Sequence, residues 1–288
     1  MENGGIKPEW LKVRAGGSRR YLEVQALLRQ HHLHTVCQEA NCPNRGDCFS
    51  RGTATFLIMG PNCSRNCRFC NVTCGPLRPL DEKEPDNIAR AVEILGLKYV
   101  VITSVTRDDL PDGGAEHFAR VIAAIRALGA AIKIEVLTPD FQGERKSLLA
   151  VFAAGPDIFN HNVETVPRLY RDVRPAADYR RSLEVLRAGA DFGGMAVKSG
   201  LMVGLGEEIG ELTAVFGDLQ KAGVELLTIG QYLAPSKNHY PIKKYYSPAE
   251  FAYLADLARQ SGITSVFSAP LVRSSYHADE QYGAPLAE

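Results

Sequence analysis

All seven cysteines of this 288-residue chain lie between Cys37 and Cys74, and the rest of the sequence has none. A disulfide framework would staple distant segments of a small secreted domain. This chain is long enough to bury a core unaided, and its cysteines crowd into one stretch, so metal binding is the better reading. Cys37, Cys42 and Cys48 form C-x4-C-x5-C, and Cys63, Cys67 and Cys70 form C-x3-C-x2-C, written CSRNCRFC. Structural zinc takes four closed ligands, commonly as paired C-x2-C knuckles, which neither triplet supplies. Three thiolates suit an iron–sulfur cube that leaves its fourth iron open or held by another kind of ligand. Zinc stays as the alternative on spacing alone. Cys74 fits neither spacing and is expected to be a small buried free thiol.

Lys plus Arg equals Asp plus Glu at 33 each, for a formal net charge of zero. Phosphate neutralisation needs a surplus of basic residues, so no nucleic acid is expected as a partner. A hydrophobic fraction of 45% and a charged fraction of 23% are globular averages and exclude disordered and collagen-like chains. No apolar run is long enough to span a membrane. Met1 to Arg20 has no apolar leader, and Glu2 and Glu9 argue against a transit peptide. A reducing cytoplasm is the expected location.

From residue 53 on, β-rich runs alternate with amphipathic ones. Strands are expected at Thr55–Met59, Lys98–Thr103, Ile132–Leu137, Asp157–Phe159, Ala196–Val203 and Leu226–Gln231. Helices are expected at Tyr21–Gln30, Asn87–Leu95, Ala115–Leu128, 143–154, 178–188, 207–222 and 248–260. This alternation predicts parallel βα units. The loops after the strands carry the chemistry-bearing residues: CSRNCRFC, Thr106 to Asp109 with Gly113-Gly114, Thr138 to Asp140, His161 to Thr165, Gly204 to Glu208 and Tyr232 to Ser236. Chemistry on one rim favours a barrel, so the expected fold is α/β, a partial (β/α)6 TIM-like barrel. It would span 53–269, with an extension over 1–52 and a closing segment over 270–288. Gly204-Leu205-Gly206 is no dinucleotide fingerprint, because the third glycine falls at Gly210, one place late. His31, His32 and His34 read as a solvated helix end rather than a metal tract.

CSRNCRFC followed by Asn71-Val72 resembles the defining motif of the radical S-adenosylmethionine superfamily. The wider chain, from Pro8-Glu9-Trp10-Leu11 to Tyr276-His277-Ala278, resembles the lipoyl synthase family within it. The match includes Thr35 to Asn44, Thr103 to Gly114, His161 to Thr165, Lys198 to Gly204 and Arg273-Ser274-Ser275-Tyr276. The first triplet together with that terminal motif is the specific part of the likeness. The resemblance implies two [4Fe-4S] clusters and S-adenosylmethionine. Cys63, Cys67 and Cys70 would hold the cluster whose open iron binds S-adenosylmethionine. Cys37, Cys42 and Cys48, with a terminal serine, would hold an auxiliary cluster that donates sulfur.

The activity implied is insertion of two sulfur atoms at C6 and C8 of an octanoyl chain on a carrier-domain lysine. Unactivated C–H bonds explain the cofactor, because no side-chain base could deprotonate them, and the hard chemistry falls to the bound group. Serine oxygen is a harder, poorer ligand than thiolate, which suits a cluster meant to be dismantled. Ser275 is taken as that ligand, with Ser274 the alternative and Arg273 nearby; capping a terminal turn is the bland reading of both serines. Asn162, Glu164 and Lys198 are assigned to S-adenosylmethionine, against readings as turn and surface residues. Phe69 packs either near the cluster or in ordinary core. Asp108 and Asp109 either orient site loops or cap a turn. Partners implied are octanoylated lipoyl carrier domains (E2 subunits and the glycine-cleavage H protein), a ferredoxin- or flavodoxin-type reductant and cluster-assembly proteins. A biotin-synthase-like enzyme would give a different product, and a non-catalytic two-cluster electron carrier would not bind S-adenosylmethionine.

Overall fold

The computed structural model describes residues 7–13 and 16–283. Glu2 and the outermost ends of the first and last expected segments lie outside the described residues. The chain forms two compact units, one of residues 13–66 and 71–159, the other of 1–12, 67–70 and 160–288.

In the first unit, α1 (Arg19–Gln30) starts at Ser18, whose Oγ accepts the Tyr21 N–H at 3.1 Å. Its Val24, Leu27 and Leu28 recur at helical spacing and are buried. Strand β1 (His34–Thr35) leads into two short helices, α2 (Val36–Glu39) and α3 (Arg45–Ser50). β2 (Thr55–Ile58) is buried along its whole length. A two-stranded ribbon, β3 (Asn62–Cys63) with β4 (Thr73–Cys74), brackets the second cysteine motif in sequence. Then α4 (Glu84–Leu95), β5 (Tyr99–Ser104), α5 (Ala115–Arg126), β6 (Lys133–Leu137) and α6 (Arg145–Ala153) alternate. β2, β5 and β6 pair in parallel, and β1 joins β2 antiparallel. Phe118, Val121, Ile122 and Ile125 form the fully buried stripe of α5. Gly114, at φ 89°, opens that helix; a Cβ there would stand 2.1 Å from Met59 Sδ, so only glycine fits the turn.

β7 (Ile158–Asn160) carries the chain across the boundary in sequence. The second unit continues with α7 (Tyr170–Val173), α8 (Tyr179–Phe192), β8 (Ala196–Val203), α9 (Ile209–Lys221), β9 (Leu226–Gln231), α10 (Pro248–Gln260), β10 (Ser265–Ala269) and α11 (Ala278–Gly283). β8, β9 and β10 are parallel, with Lys198 and Ser265 both opposite Leu226. Capping boxes start α9 (Glu208 with Glu211) and α10 (Ser247 with Glu250). Leu201, Val203, Leu212, Phe216, Leu227, Ile229, Phe251 and Leu254 form its core. The early segment is fastened here too: Leu11 is fully buried, and Trp10 Nε1 donates to the Tyr246 carbonyl at 3.1 Å.

All six expected strands exist, four shifted or trimmed by a single residue, and β8 and β9 as expected. The structure adds the parallel strand β10. The strands are mostly parallel, the short β1 being antiparallel, and the fold class is α/β of the partial-barrel kind. Among the described residues no helix is long and apolar enough to cross a membrane.

Candidate functional site

The first triplet is built on short helical turns. Thr35 caps α2 by accepting the Gln38 N–H, which places Cys37 in a helical turn and buries it. Cys42 N donates to the Cys37 carbonyl at 3.1 Å, and Cys48 N to the Asn44 carbonyl at 3.0 Å. Thr53 then closes on the Cys48 carbonyl through its N at 2.9 Å and Oγ1 at 3.1 Å. Burial, and secondly the nearby Cys42 sulfur, push the Cys37 thiol up to about 11. Burial pushes Cys48 up as well, and Cys37 and Cys42 add to it. Ionisation of Cys37 and Cys48 is thus opposed by burial and by the neighbouring sulfurs, although among the described residues no three His, Cys, Asp or Glu side chains are already gathered as a metal site. A soft, positively charged group such as cluster iron fits that donor set.

In the second triplet, Cys63 ends β3 and its Sγ accepts two backbone N–H groups, from Arg65 at 3.4 Å and Thr106 at 3.3 Å. Backbone donors to sulfur of this kind are among the features that tune iron–sulfur clusters, so the setting of this cysteine suits one. Cys67 and Cys70 belong to the second unit. There Cys70 N donates to the Cys67 carbonyl at 3.0 Å, and Arg68 N to the Val173 carbonyl at 2.8 Å. His239 Nε2 lies 3.1 Å from the Cys70 carbonyl, and its Nδ1 lies 2.8 Å from Ser236 Oγ. With one ring proton, Nε2 donates to the carbonyl and Nδ1 accepts the hydroxyl. Phe69 packs against the second unit's hydrophobic core, the ordinary-core reading. Asn71 Nδ2 donates to the Glu39 carbonyl at 2.9 Å, tying the segment after this motif to the first triplet's helix.

Cys74 is exposed, not buried as the sequence suggested. It lies directly opposite Cys63 in the β3–β4 ribbon; a two-residue ribbon has no second layer to cover it. Asp108 and Asp109 do not cap the turn. Asp108 pairs with Arg65 and Asp109 with Arg107, while Asp112 accepts the N–H groups of Gly114 and Glu116. His34 pairs with Glu39 at 3.0 Å.

The residues assigned to S-adenosylmethionine come together with the terminal motif. Lys198, 1% exposed on β8, donates from Nζ to the Ser274 carbonyl at 2.6 Å. Ser274 Oγ lies 2.8 Å from Asn162 Nδ2 and 3.0 Å from its Oδ1. Asn162 Nδ2 also donates to Glu164 Oε1 at 3.1 Å. Glu164 takes a left-handed φ of 65°, rare for a residue with a side chain. The turn is held because Glu164 N donates to the Gly200 carbonyl and Met202 N to the Glu164 carbonyl. Burial pushes the Glu164 carboxyl above the usual range, opposed by Arg174, Asn162 and Arg273. Gly200 makes room: a Cβ there would stand 2.8 Å from both Asn162 Oδ1 and Ser274 Oγ. Ser275, the next residue, is half-buried. Two anchors were not legible in the sequence. Asp140 pairs with Arg65 across 75 residues, and His239 reaches Cys70 across 169.

The Radical SAM superfamily profile matches residues 57–219. Solved structures with this fold include the FeFe-hydrogenase maturase HydG from Carboxydothermus hydrogenoformans (TM-score 0.61, 18% identity, 78% of this chain and 55% of that one). Methylornithine synthase (PylB) is another, with TM-score 0.53 and 14% identity over 91% of this chain and 86% of that one. Fold and cysteine motif together define a radical S-adenosylmethionine protein. The lipoyl synthase of Methylococcus capsulatus is 54% identical over 96% of this chain and 86% of its own length. That of Alkaliphilus metalliredigens is 54% identical over 95% of each. This chain belongs to the lipoyl synthase family, whose members are radical S-adenosylmethionine sulfurtransferases carrying iron–sulfur clusters.

Proposed function

We propose that this chain inserts sulfur at C6 and C8 of an octanoyl-lysine on a lipoyl carrier domain, using two [4Fe-4S] clusters with divided roles. The observation that carries the reading is the pair of complete three-thiol sets, differently held, in a chain more than half identical to lipoyl synthases. Cys63, Cys67 and Cys70 hold the cluster that takes S-adenosylmethionine. When bound and reduced, it supplies the electron that cleaves the sulfonium and yields a carbon radical able to take hydrogen from an unactivated C–H bond. Two such bonds require two S-adenosylmethionine molecules per product.

The chain's own residues bind and aim. Backbone N–H groups of Arg65 and Thr106 hold the Cys63 sulfur. Lys198 meets the carboxylate of S-adenosylmethionine, while Asn162 and Glu164 meet its ribose hydroxyls, with Gly200 keeping the space between β8 and the terminal segment open. The auxiliary cluster is the sulfur-donating substrate, held by Cys37, Cys42, Cys48 and Ser275. Ser274 Oγ is hydrogen-bonded to Asn162, which supports Ser275 as the ligand, with Ser274 the alternative. A serine oxygen is released more readily than a thiolate, so an iron can depart as sulfide becomes product sulfur. In this reading 1–52 carries the auxiliary site, 53–269 the radical chemistry and 270–288 the serine closure. The electron donor is of ferredoxin or flavodoxin type, the acyl carriers are E2 subunits and the glycine-cleavage H protein, and cluster-assembly proteins rebuild the donor in the cytoplasm.

The test is anaerobic reconstitution with ³⁴S-labelled sulfide, which should load about eight irons as two cubes. Incubation with an octanoyl-lysyl peptide, S-adenosylmethionine and a strong reductant should then give labelled dithiolated product. A loaded protein that cleaves S-adenosylmethionine yet leaves the octanoyl chain untouched would refute the assignment.

A further inference from the structure

Arg65 lies inside the second cysteine motif, and no ligand role falls to it. Its side chain is 6% exposed, and its guanidinium fork is filled by two carboxylates. Nε and Nη2 donate to Asp108 Oδ2 and Oδ1 at 2.7 and 2.8 Å. Nη1 and Nη2 donate to Asp140 Oδ2 and Oδ1 at 3.1 and 2.7 Å. Those acids stand in the loops after β5 and β6, so one side chain joins three of the loops that carry chemistry. Asp140 is buried and also accepts the Gln142 N–H. Ser64 closes the same corner: its N donates to the Thr106 carbonyl at 2.9 Å, and its Oγ accepts the Asp108 N–H at 3.1 Å.

The consequence falls on a sulfur. With Ser64 and Arg65 fastened to the β5 loop, the N–H groups of Arg65 and Thr106 both point at Cys63 Sγ. A buried charge triad is no efficient way to stabilise a fold, because desolvation offsets most of the attraction. A guanidinium fork does fix direction, which a point charge such as lysine does not.

We propose that Arg65 is a positioning residue: by bridging Asp108 and Asp140 it holds Cys63 Sγ beneath two backbone N–H donors, and so sets how firmly that cysteine holds its cluster and at what potential the cluster is reduced. The inference rests on the reading of Cys63, Cys67 and Cys70 as cluster ligands. Hydrogen bonds to cluster sulfur stabilise the more negative, reduced state and raise the potential. Partners that orient a metal ligand are worth about 10–100-fold in metal affinity.

The experiment compares the full-length chain with Arg65→Lys, which keeps the charge and loses the fork, and with the neutral pair Arg65→Gln/Asp140→Asn. Two quantities are read: iron release to a chelator and the midpoint potential of the cluster whose electron paramagnetic resonance signal responds to S-adenosylmethionine. In Arg65→Lys the responsive cluster should lose iron about tenfold faster and its potential should fall. Iron at the first triplet and thermal unfolding should stay as in the unaltered chain, and the neutral pair should recover part of each change. Unaltered potential and chelation in Arg65→Lys would overturn the proposal. So would general unfolding of both variants, which would make Arg65 a plain stabilising residue. An unaltered chain that never assembles a cluster on the second triplet would instead refute the underlying reading.

Discussion

Cys37 is enclosed on a helical turn, with Cys42 near enough to oppose its ionisation, whereas Cys63 leaves a two-residue strand and receives two backbone N–H groups. In the helical set, Cys37 and Cys48 resist negative charge. The loop set has donors waiting for it. Under the proposed roles this difference has a purpose. A cluster that is consumed would sit where the Cys37 and Cys48 thiolates regain protons readily once iron leaves, and a cluster that must survive many turnovers would sit beside the hydrogen bonds held on Cys63.

The sharpest way to break that contrast is to remove one cysteine from each set. Cys63→Ala should abolish both cleavage of S-adenosylmethionine and product. Cys42→Ala should abolish product and keep measurable 5′-deoxyadenosine formation, by chromatography under anaerobic conditions. Equal loss of both activities in two folded variants would end the division of roles.

A smaller effect separates the two serines. Ser275→Ala should lower dithiolated product and retention of the first triplet's iron by about tenfold or more. Ser274→Ala removes the partner of Asn162 and should weaken S-adenosylmethionine binding several-fold, on the order of 1 kcal/mol, with iron content unchanged in calorimetric and metal assays. The reverse pattern would move the ligand to Ser274.

Asp157 probes the framework of the unit that holds the first triplet. Burial opposes its charge, but Lys133, Arg126 and the Ile134 N–H hold its carboxyl below the usual range. A depressed folded value means the stabilisation is complete above the ordinary carboxylate value of about 4 and is lost as pH falls through the folded one. Asp157→Asn should therefore cost about 2 kcal/mol at neutral pH and flatten the acid limb of a denaturation series. A limb as steep as before would remove Asp157 from the account. The smallest effect is expected at Cys74, exposed and outside both sets: Cys74→Ser should change iron content not at all and stability by less than about 0.5 kcal/mol. Lost iron in that variant would make Cys74 part of the second set and blur the contrast.

Much of this was legible in the sequence, because spacing carries it. Two cysteine triplets and six alternating strands follow from local periodicity. What was missed depends on distance or on weak local signals. β10, with the sequence Ser-Val-Phe-Ser-Ala, is short and half-polar, and it becomes a strand by pairing with β9. Cys74 was read as buried because free cysteines usually are, yet the β3–β4 ribbon is too small to cover it. Asp108 sat in a turn rich in capping residues, and only the fold shows that Asp112 does the capping while Asp108 meets Arg65. Burial of Lys198 was equally invisible, since its partner is a carbonyl 76 residues away.

The bond from Trp10 to Tyr246 spans 236 residues. Translation runs from the amino end, so Leu11 reaches solvent long before the shell that encloses it has been made. A nascent chain must carry this apolar strip uncovered through most of its synthesis. The step that seats it comes late, by closure of a very long loop, and is slow for entropic reasons. Chaperone dependence and aggregation during expression should therefore concentrate in this early strip, and a polar tag fused ahead of it would be expected to ease both.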